Sequence, residues 1–247
     1  CQVQVFLGDH EVSQELLKLP FNHIFFTGST KIGKIVMRAA AENLSSVTLE
    51  LGGQNPVVVD ESANLKDAAA KIVWGKFINA GQTCIAPNYI LVHESVHQQL
   101  TKLVIEQIKT YYGNDIVHNN SFARIIDLKH TKRILNLIKK LQNEGGKIVS
   151  GGTSDLEELY ISPSIIVNLT TDSIAFEEEI FGPLLPIISY KNFDHAITEI
   201  NKHNDSLISY LFTRQKHHKK YFQKYVNTGN VSVNETIIAF GQNQLPF

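Results

Sequence analysis

Apolar positions near the start of this chain change period every few residues. Alternation over residues 3–7 predicts a short strand, residues 11–19 carry helical spacing, and residues 23–27 predict a second strand. Ile32, Ile35, Val36 and Ala39 then recur at helical intervals over 32–43, and 47–51 supplies a further strand. That order is expected of the later units of a parallel, doubly wound sheet, the kind that binds a dinucleotide. A strand at 56–59 opens a second series. Leu65, Ala68, Ala69, Ile72, Val73 and Phe77 make a helix over 65–77 that leads into a loop at Gly81. Further on, a strand is expected at 89–92, a long helix at 96–112, and another at 128–142 with Leu135, Leu137, Ile138 and Leu141 as its apolar stripe. Strands at 147–149, 160–167, 184–190, 207–212 and 230–233 alternate with helices at 193–201 and 217–226, so the fold class is α/β throughout. No repeat, low-complexity tract or flexible linker interrupts the pattern. The pair Gly52-Gly53 permits a sharp change of direction and marks the expected boundary, dividing the chain into 1–52, 53–235 and a short closing segment 236–247.

Composition narrows the function classes. With 247 residues, 43% of them hydrophobic, the chain can bury a substantial core. A formal charge of −1 with interspersed acids and bases gives no strong field, so no nucleic-acid partner is expected. Two cysteines, one of them Cys1, leave no disulfide framework and suit a reducing, cytoplasmic compartment. No stretch reaches the length of a membrane span, and the first residues lack the pattern of a secretory signal.

The chemistry concentrates in Gly81-Gln82-Thr83-Cys84 and in the earlier run Leu49-Glu50-Leu51-Gly52-Gly53. A cysteine attacks a carbonyl only as its thiolate, which needs partial exposure and an environment favouring the anion; a loop of small and polar residues provides room for both. The competing reading of Cys84 is a small buried apolar residue, and that of Glu50 a solvated carboxylate at a strand end. The run Gly28-Ser29-Thr30-Lys31-Ile32-Gly33 follows a strand and opens a helix, where backbone N–H groups and the helix dipole favour a phosphate. It is not G-x-G-x-x-G, and on spacing alone it reads as a strand-to-helix turn with a Ser/Thr cap. Glu177-Glu178-Glu179 reads on its own as an acidic surface turn.

These motifs stand in one order with Cys84-Ile85-Ala86-Pro87-Asn88-Tyr89 and Glu179-Ile180-Phe181-Gly182-Pro183, and over nearly the whole chain the sequence resembles the aldehyde dehydrogenase superfamily. Tyr160-Ile161-Ser162-Pro163 and Pro183-Leu184-Leu185-Pro186-Ile187-Ile188 are similar to its class 3 branch, which acts on medium-chain, fatty and aromatic aldehydes. The resemblance implies the end of a doubly wound parallel cofactor-binding sheet over 1–52, followed by an α/β catalytic domain of the aldehyde dehydrogenase type. It implies oxidation of an aldehyde to a carboxylic acid with NAD or NADP, Cys84 as nucleophile and Glu50 as the base that activates water. Gly28, Ser29 and Gly33 then lie against the pyrophosphate and Leu51 beside the cofactor. Glu179 holds the nicotinamide ribose hydroxyls, with Phe181 near that end, while Glu177 and Glu178 are solvated. A homodimer is implied for the whole protein. So is an internal piece of a longer enzyme: the first half of the cofactor domain and an oxyanion-stabilising asparagine belong before Cys1, and a glycine-rich stretch and C-terminal arm after Leu245-Pro246-Phe247. Two alternatives remain. A coenzyme A-acylating relative uses the same cysteine but generally lacks the glutamate, which Glu50 argues against; the other is an inactive structural or ligand-binding fragment.

His93-Glu94-Ser95-Val96-His97 matches H-E-x-x-H, which binds zinc only when both imidazoles project from one helical face. Here His93 ends a strand and Ser95 reads as the N-cap of the next helix, so no metal site is expected. His217 and His218 read as surface residues, and Trp74 and Phe77 as core aromatics at helical spacing. Asn234 reads either as part of a family run near the active-site mouth or as a strand-terminal turn.

Overall fold

The computed structural model describes residues 3–203, 206–242 and 244. Cys1 and Leu245-Pro246-Phe247, on which expectations about the chain ends rested, lie outside the described residues, as does part of the segment 236–247. The chain divides into two compact units, Cys1–Gly52 and Gly53–Phe247.

In the first unit, helix α1 (His10–Leu16) is capped by the Asp9 carboxylate, which accepts from the Glu11 N–H at 2.9 Å. Strand β1 (His23–Gly28) runs into helix α2 (Thr30–Glu42), and β2 (Ser46–Leu51) returns parallel to β1, with Thr27 opposite Glu50 and Gly28 opposite Leu51. Residues 3–7, expected as a strand, have no regular structure: alternation over so short a run does not by itself make a strand. In α2 the buried positions are Gly33, Val36 and Ala40, while Ile32 and Ile35 stay exposed. The contact that decides this face is close. A Cβ on Gly33 would sit 2.7 Å from Leu51 Cδ2, so any larger residue here must push the Leu51 side chain aside.

The second unit opens with β3 (Pro56–Val59), α3 (Leu65–Phe77), β4 (Tyr89–His93), α4 (His97–Tyr112) and α5 (Leu128–Asn143). It continues with β5 (Lys147–Ser150), β6 (Ser154–Asp155), β7 (Tyr160–Ile161), β8 (Ser164–Val167) and β9 (Leu184–Tyr190), then α6 (Phe193–Lys202), β10 (Ile208–Phe212), α7 (Lys216–Tyr225) and β11 (Asn230–Val233). Seven strands form one sheet in the order β11-β10-β3-β4-β9-β8-β5, parallel except for the edge pair β5 and β8. Central strands such as β3 and β10 are buried along their whole length, as expected of a parallel sheet covered by helices on both faces. The single strand expected over 160–167 is two. Pro163 has no N–H for a ladder, and Ser162 turns its side chain to the Thr153 backbone, so β7 pairs with β6 and β8 with β9.

Candidate functional site

Cys84 is positioned by the way α3 ends. After Phe77 the backbone leaves the helix at Ile78, and Asn79 and Ala80 both take φ 51, followed by Gly81 at φ 75. Two successive non-glycine residues in the left-handed region are costly and persist only when their surroundings hold them. Side-chain amides do the holding. Asn79 Nδ2 donates to the Gln82 carbonyl at 2.9 Å; Gln82 Nε2 donates to the carbonyls of Asn79 (3.1 Å) and Arg124 (2.9 Å), and its Oε1 accepts from the Ile126 N–H at 3.0 Å. Gly81 is obligatory, because a Cβ there would meet the Gly182 carbonyl oxygen at 2.3 Å. Through that approach the cysteine loop lies directly on the Glu179-to-Pro183 segment.

Beneath the loop stands Asn55, which the sequence reading passed over. Its Nδ2 donates to the carbonyls of Cys84 (2.7 Å) and Ala86 (3.1 Å), and its Oδ1 accepts from the N–H groups of Leu207 (3.1 Å) and Ile208 (3.2 Å). One buried side chain thus joins the entries to β3, β4 and β10. Tyr210 adds a bond from its hydroxyl to the Ile85 carbonyl at 2.6 Å. Cys84 is left half-buried, its side chain against the core and one side accessible.

The Glu179 segment is fixed as firmly. Asn88 Nδ2 donates to the Glu178 carbonyl at 3.2 Å and Asn88 Oδ1 accepts from the Ile180 N–H at 2.8 Å. From α5, the Arg133 guanidinium donates to the carbonyls of Glu179 (3.2 Å), Ile180 (2.7 Å) and Phe181 (3.4 Å). The Glu179 carboxylate accepts from the Gly53 N–H at 3.2 Å. Burial pushes the Glu179 pKa up, against the Gly53 hydrogen bond and the positive charges of Arg133 and Lys76. Lys76, in the last turn of α3 and only 1% exposed, is pushed down to about 7 by burial, against the attraction of Glu179. Phe181 is exposed at φ 40. Glu177 is exposed, but Glu178, expected to be solvated, pairs with Lys140 at 3.2 Å.

In the first unit, Gly28, Ser29, Gly33, Glu50 and Leu51 gather at the carboxyl ends of two parallel strands and the start of α2, where open α/β sheets take ligands. The Ser29 hydroxyl caps α2 by accepting from the Ile32 N–H at 3.4 Å, and the helical geometry leaves the N–H groups of Thr30 and Lys31 without an intrahelical acceptor. That is a fitting place for a pyrophosphate. The Leu51 side chain packs on Gly33, so whatever it does for a ligand it also holds the helix to the strand. By contrast, the Cys84 loop, Asn55 and the Glu179 segment all sit at the amino ends of β4, β3 and β9.

Several expectations need correction. Trp74 is 39% exposed and outside the core, whereas Phe77 is buried within it. His218 is not a surface residue: its Nδ1 lies 2.7 Å from Asp60 Oδ2 and its ring stacks on Phe193 at 3.9 Å. Ser95 caps no long helix; a 3-10 turn at Glu94–Val96 intervenes before α4, and Ser95 Oγ is bonded to His93 Nδ1 at 2.7 Å. His93 ends β4 while His97 starts α4, so the two share no helical face. Asn234 resolves as a turn residue at φ 59 whose amide is spent on both backbone groups of Thr213. Among the described residues no cluster of three metal-ligating side chains occurs and no helix is long and apolar enough to cross a membrane.

Comparison with known proteins bears on this geometry. The profile described as "Aldehyde dehydrogenase family" matches residues 2–247. The chain is 43% identical over 245 residues to 4,4'-diaponeurosporen-aldehyde dehydrogenase of Staphylococcus aureus, covering 99% of this chain and 53% of that protein. It is 44% identical over 233 residues to aldehyde dehydrogenase family 3 member A2 of Mus musculus, covering 94% and 47%. Among solved structures, the substrate-bound state of Staphylococcus aureus AldH superposes with a TM-score of 0.93 at 43% identity, covering 97% of this chain and 52% of that one. The chain spans about half the length of the curated relatives it matches.

Proposed function

Because this chain belongs to the aldehyde dehydrogenase family, we propose that the protein oxidises an aldehyde to a carboxylic acid with NAD or NADP, using Cys84 as nucleophile and Glu50 as base. The observation that carries this reading is the loop that presents Cys84: strained, locked by Asn55 and Gln82, and lying on the segment that bears Glu179. Relatives in the family use NAD or NADP, and the residues here fit such a group. Gly28, Ser29 and Gly33 at the start of α2 would take the pyrophosphate, with Leu51 beside it. Glu179 would accept from the ribose hydroxyls, with Phe181 near the nicotinamide.

The chemistry follows from the residue types. Cys84 Sγ, as thiolate, adds to the aldehyde carbon and forms a C–S bond, while the carbonyl oxygen becomes an oxyanion that the Cys84 backbone N–H is one candidate to stabilise. NAD(P)+ held by these residues would accept the hydride, whose loss would leave a thioester on Cys84 Sγ. Glu50 takes a proton from water, the water oxygen attacks the thioester carbon, and Cys84 Sγ leaves as thiolate, releasing the acid. Trp74 and Ile78, both exposed at the end of α3, offer apolar surface on the approach to the loop, which favours the apolar aldehydes of the class 3 branch. A homodimer in a reducing, cytoplasmic compartment accompanies this reading.

The test is pre-steady-state kinetics on the intact protein. Glu50→Gln should keep a burst of NAD(P)H equal to the enzyme concentration while steady turnover falls by about 10² or more, since an amide cannot take the proton of water. Equal loss of burst and steady phases would place Glu50 before hydride transfer, and unchanged turnover would remove it from the reaction.

A further inference from the structure

Cys84 stands inside a tight turn. The Ala86 N–H donates back to the Thr83 carbonyl at 3.0 Å, which makes Cys84 and Ile85 the two central residues. Side chains from two strands of the sheet hold the three carbonyls that follow. Asn55, at the entry to β3, donates to those of Cys84 (2.7 Å) and Ala86 (3.1 Å), and Tyr210, within β10, donates to that of Ile85 at 2.6 Å. Ile85 and Tyr210 are both buried, so the bond between them is shielded from water. The Ile85–Ala86 peptide is thus gripped at both ends. Its N–H closes the turn, and its C=O, which a trans peptide points the opposite way, meets the Tyr210 hydroxyl.

We propose that Tyr210 is a positioning residue for the nucleophile: by fixing the Ile85–Ala86 peptide it keeps the turn closed, and so sets the direction in which Cys84 presents its sulfur to the aldehyde carbon. This rests on the assignment of Cys84 as nucleophile made above. The other anchors do not replace the phenol. Asn55 holds the carbonyls on either side, and the Asn79 and Gln82 amides hold the residues before Cys84. Without the hydroxyl the Ile85 carbonyl is left buried and unpaired, and rotation of its peptide toward another donor draws the Ala86 N–H off Thr83. Attack on a carbonyl needs the reacting atoms close and aligned, so an opened turn costs rate even where the thiol stays accessible. Burial pushes the Tyr210 pKa up, against the hydrogen bond from the Ile237 N–H, and the charge of a Cys84 thiolate pushes it the same way. The phenol therefore keeps its proton, and goes on donating, at the pH where the thiolate forms.

Tyr210→Phe removes the donor and keeps the ring. Amide hydrogen exchange, followed residue by residue, should show Ala86 exchanging about 10-fold faster than in the wild type, with Ile90 in β4 unchanged. In the intact protein with NAD(P)+ and aldehyde, the burst of NAD(P)H should slow about 10-fold while cofactor Kd stays as it was. Tyr190→Phe is the control for general loosening. It deletes another buried hydroxyl, one that donates to the Val59 carbonyl at 3.4 Å, and should leave both Ala86 exchange and the burst at wild-type values. Unchanged Ala86 exchange in Y210F overturns the proposal, and so does a burst of wild-type rate or an equal effect from Y190F. A wild type without a burst, or a burst that survives Cys84→Ser, overturns the assignment of the nucleophile, and the role of Tyr210 falls with it. If Y210F does not fold, the wild type decides: protection of Ala86 as strong as that of Ile90 supports the pinned turn, and exchange as fast as an exposed loop refutes it.

Discussion

At the scale of single residues, this site depends on side chains whose bonds go to backbone. Asn55 is 1% exposed and uses both ends of its amide to satisfy four backbone groups in two different loops. Removing such a side chain leaves several buried donors and acceptors unpaired, and that penalty exceeds the modest net value of the bonds themselves. Asn55→Ala should therefore cost about 3 kcal/mol in urea unfolding. It should also alter the rate at which substoichiometric iodoacetamide modifies Cys84, because the Cys84 carbonyl loses its anchor. In the wild type the label belongs mainly on Cys84, read by mass spectrometry. A folded protein with an unreactive Cys84 would remove the nucleophile from the reading, and a loss under about 1 kcal/mol would mean that water replaces the amide. The sequence points to Cys84, Glu50 and Glu179 as candidates because the chemistry proposed for them is local to recognisable runs. Asn55, Arg133 and Lys76 were not legible that way: each acts on backbone or charge remote in the sequence, and a lysine near a helix end reads as solvated until the packing is known.

Elements were legible where one pattern met no competing constraint. The bounds of α3 follow from six apolar positions at helical spacing, and those of β9 from an apolar run interrupted only at Ser189. Failures have identifiable causes, such as Pro163 within 160–167 or the shortness of the apolar pattern over 3–7. A third kind of miss is the network that ties elements together at the carboxyl edge of the second sheet. Asp60, directly after β3, is fully buried and accepts from Ser62 N–H (2.8 Å), Ser62 Oγ (2.7 Å), Thr213 Oγ1 after β10, and His218 Nδ1 on α7 (2.7 Å). Burial by itself would raise the Asp60 pKa, but the hydrogen bonds from His218, Thr213 and Ser62 outweigh it and hold the carboxyl below its ordinary 3.8. A carboxylate with a depressed folded pKa stabilises the fold fully above its unfolded value, and the contribution is lost as pH falls through the folded value. The stability gap between wild type and Asp60→Asn, from urea unfolding, should thus be constant near neutrality and shrink only below about pH 4. A gap that already closes well above pH 4 would overturn this assignment.

For the molecule as a whole, the decisive fact is that the proposed base and nucleophile belong to different compact units, Glu50 to Cys1–Gly52 and Cys84 to Gly53–Phe247. The two are unequal in substance. Among the described residues of the first unit only Gly33, Val36 and Ala40 are buried, its sheet has two strands, and Phe6, Phe25, Ile32, Ile35 and Met37 are exposed. The second unit encloses a continuous core around seven strands. About 50 residues with so little buried apolar surface form a marginal unit, and a two-stranded sheet is at best weakly stable by itself. Backbone amides of β1 and β2 in this 247-residue chain should therefore exchange with deuterium well before those of β3, β4 and β9. Under the proposed assignments, the unit that carries the thiol outlasts the one that carries the base. Cys84 should still be alkylated, because its loop is held wholly within the second unit, while NAD(P)H formation with a panel of aldehydes should be undetectable at high cofactor concentration. Protection of β1 and β2 equal to that of β4 would show that the first unit is stabilised by more than its own core. Robust Cys84-dependent turnover by these 247 residues would show in addition that the first unit holds its share of the site despite its small core.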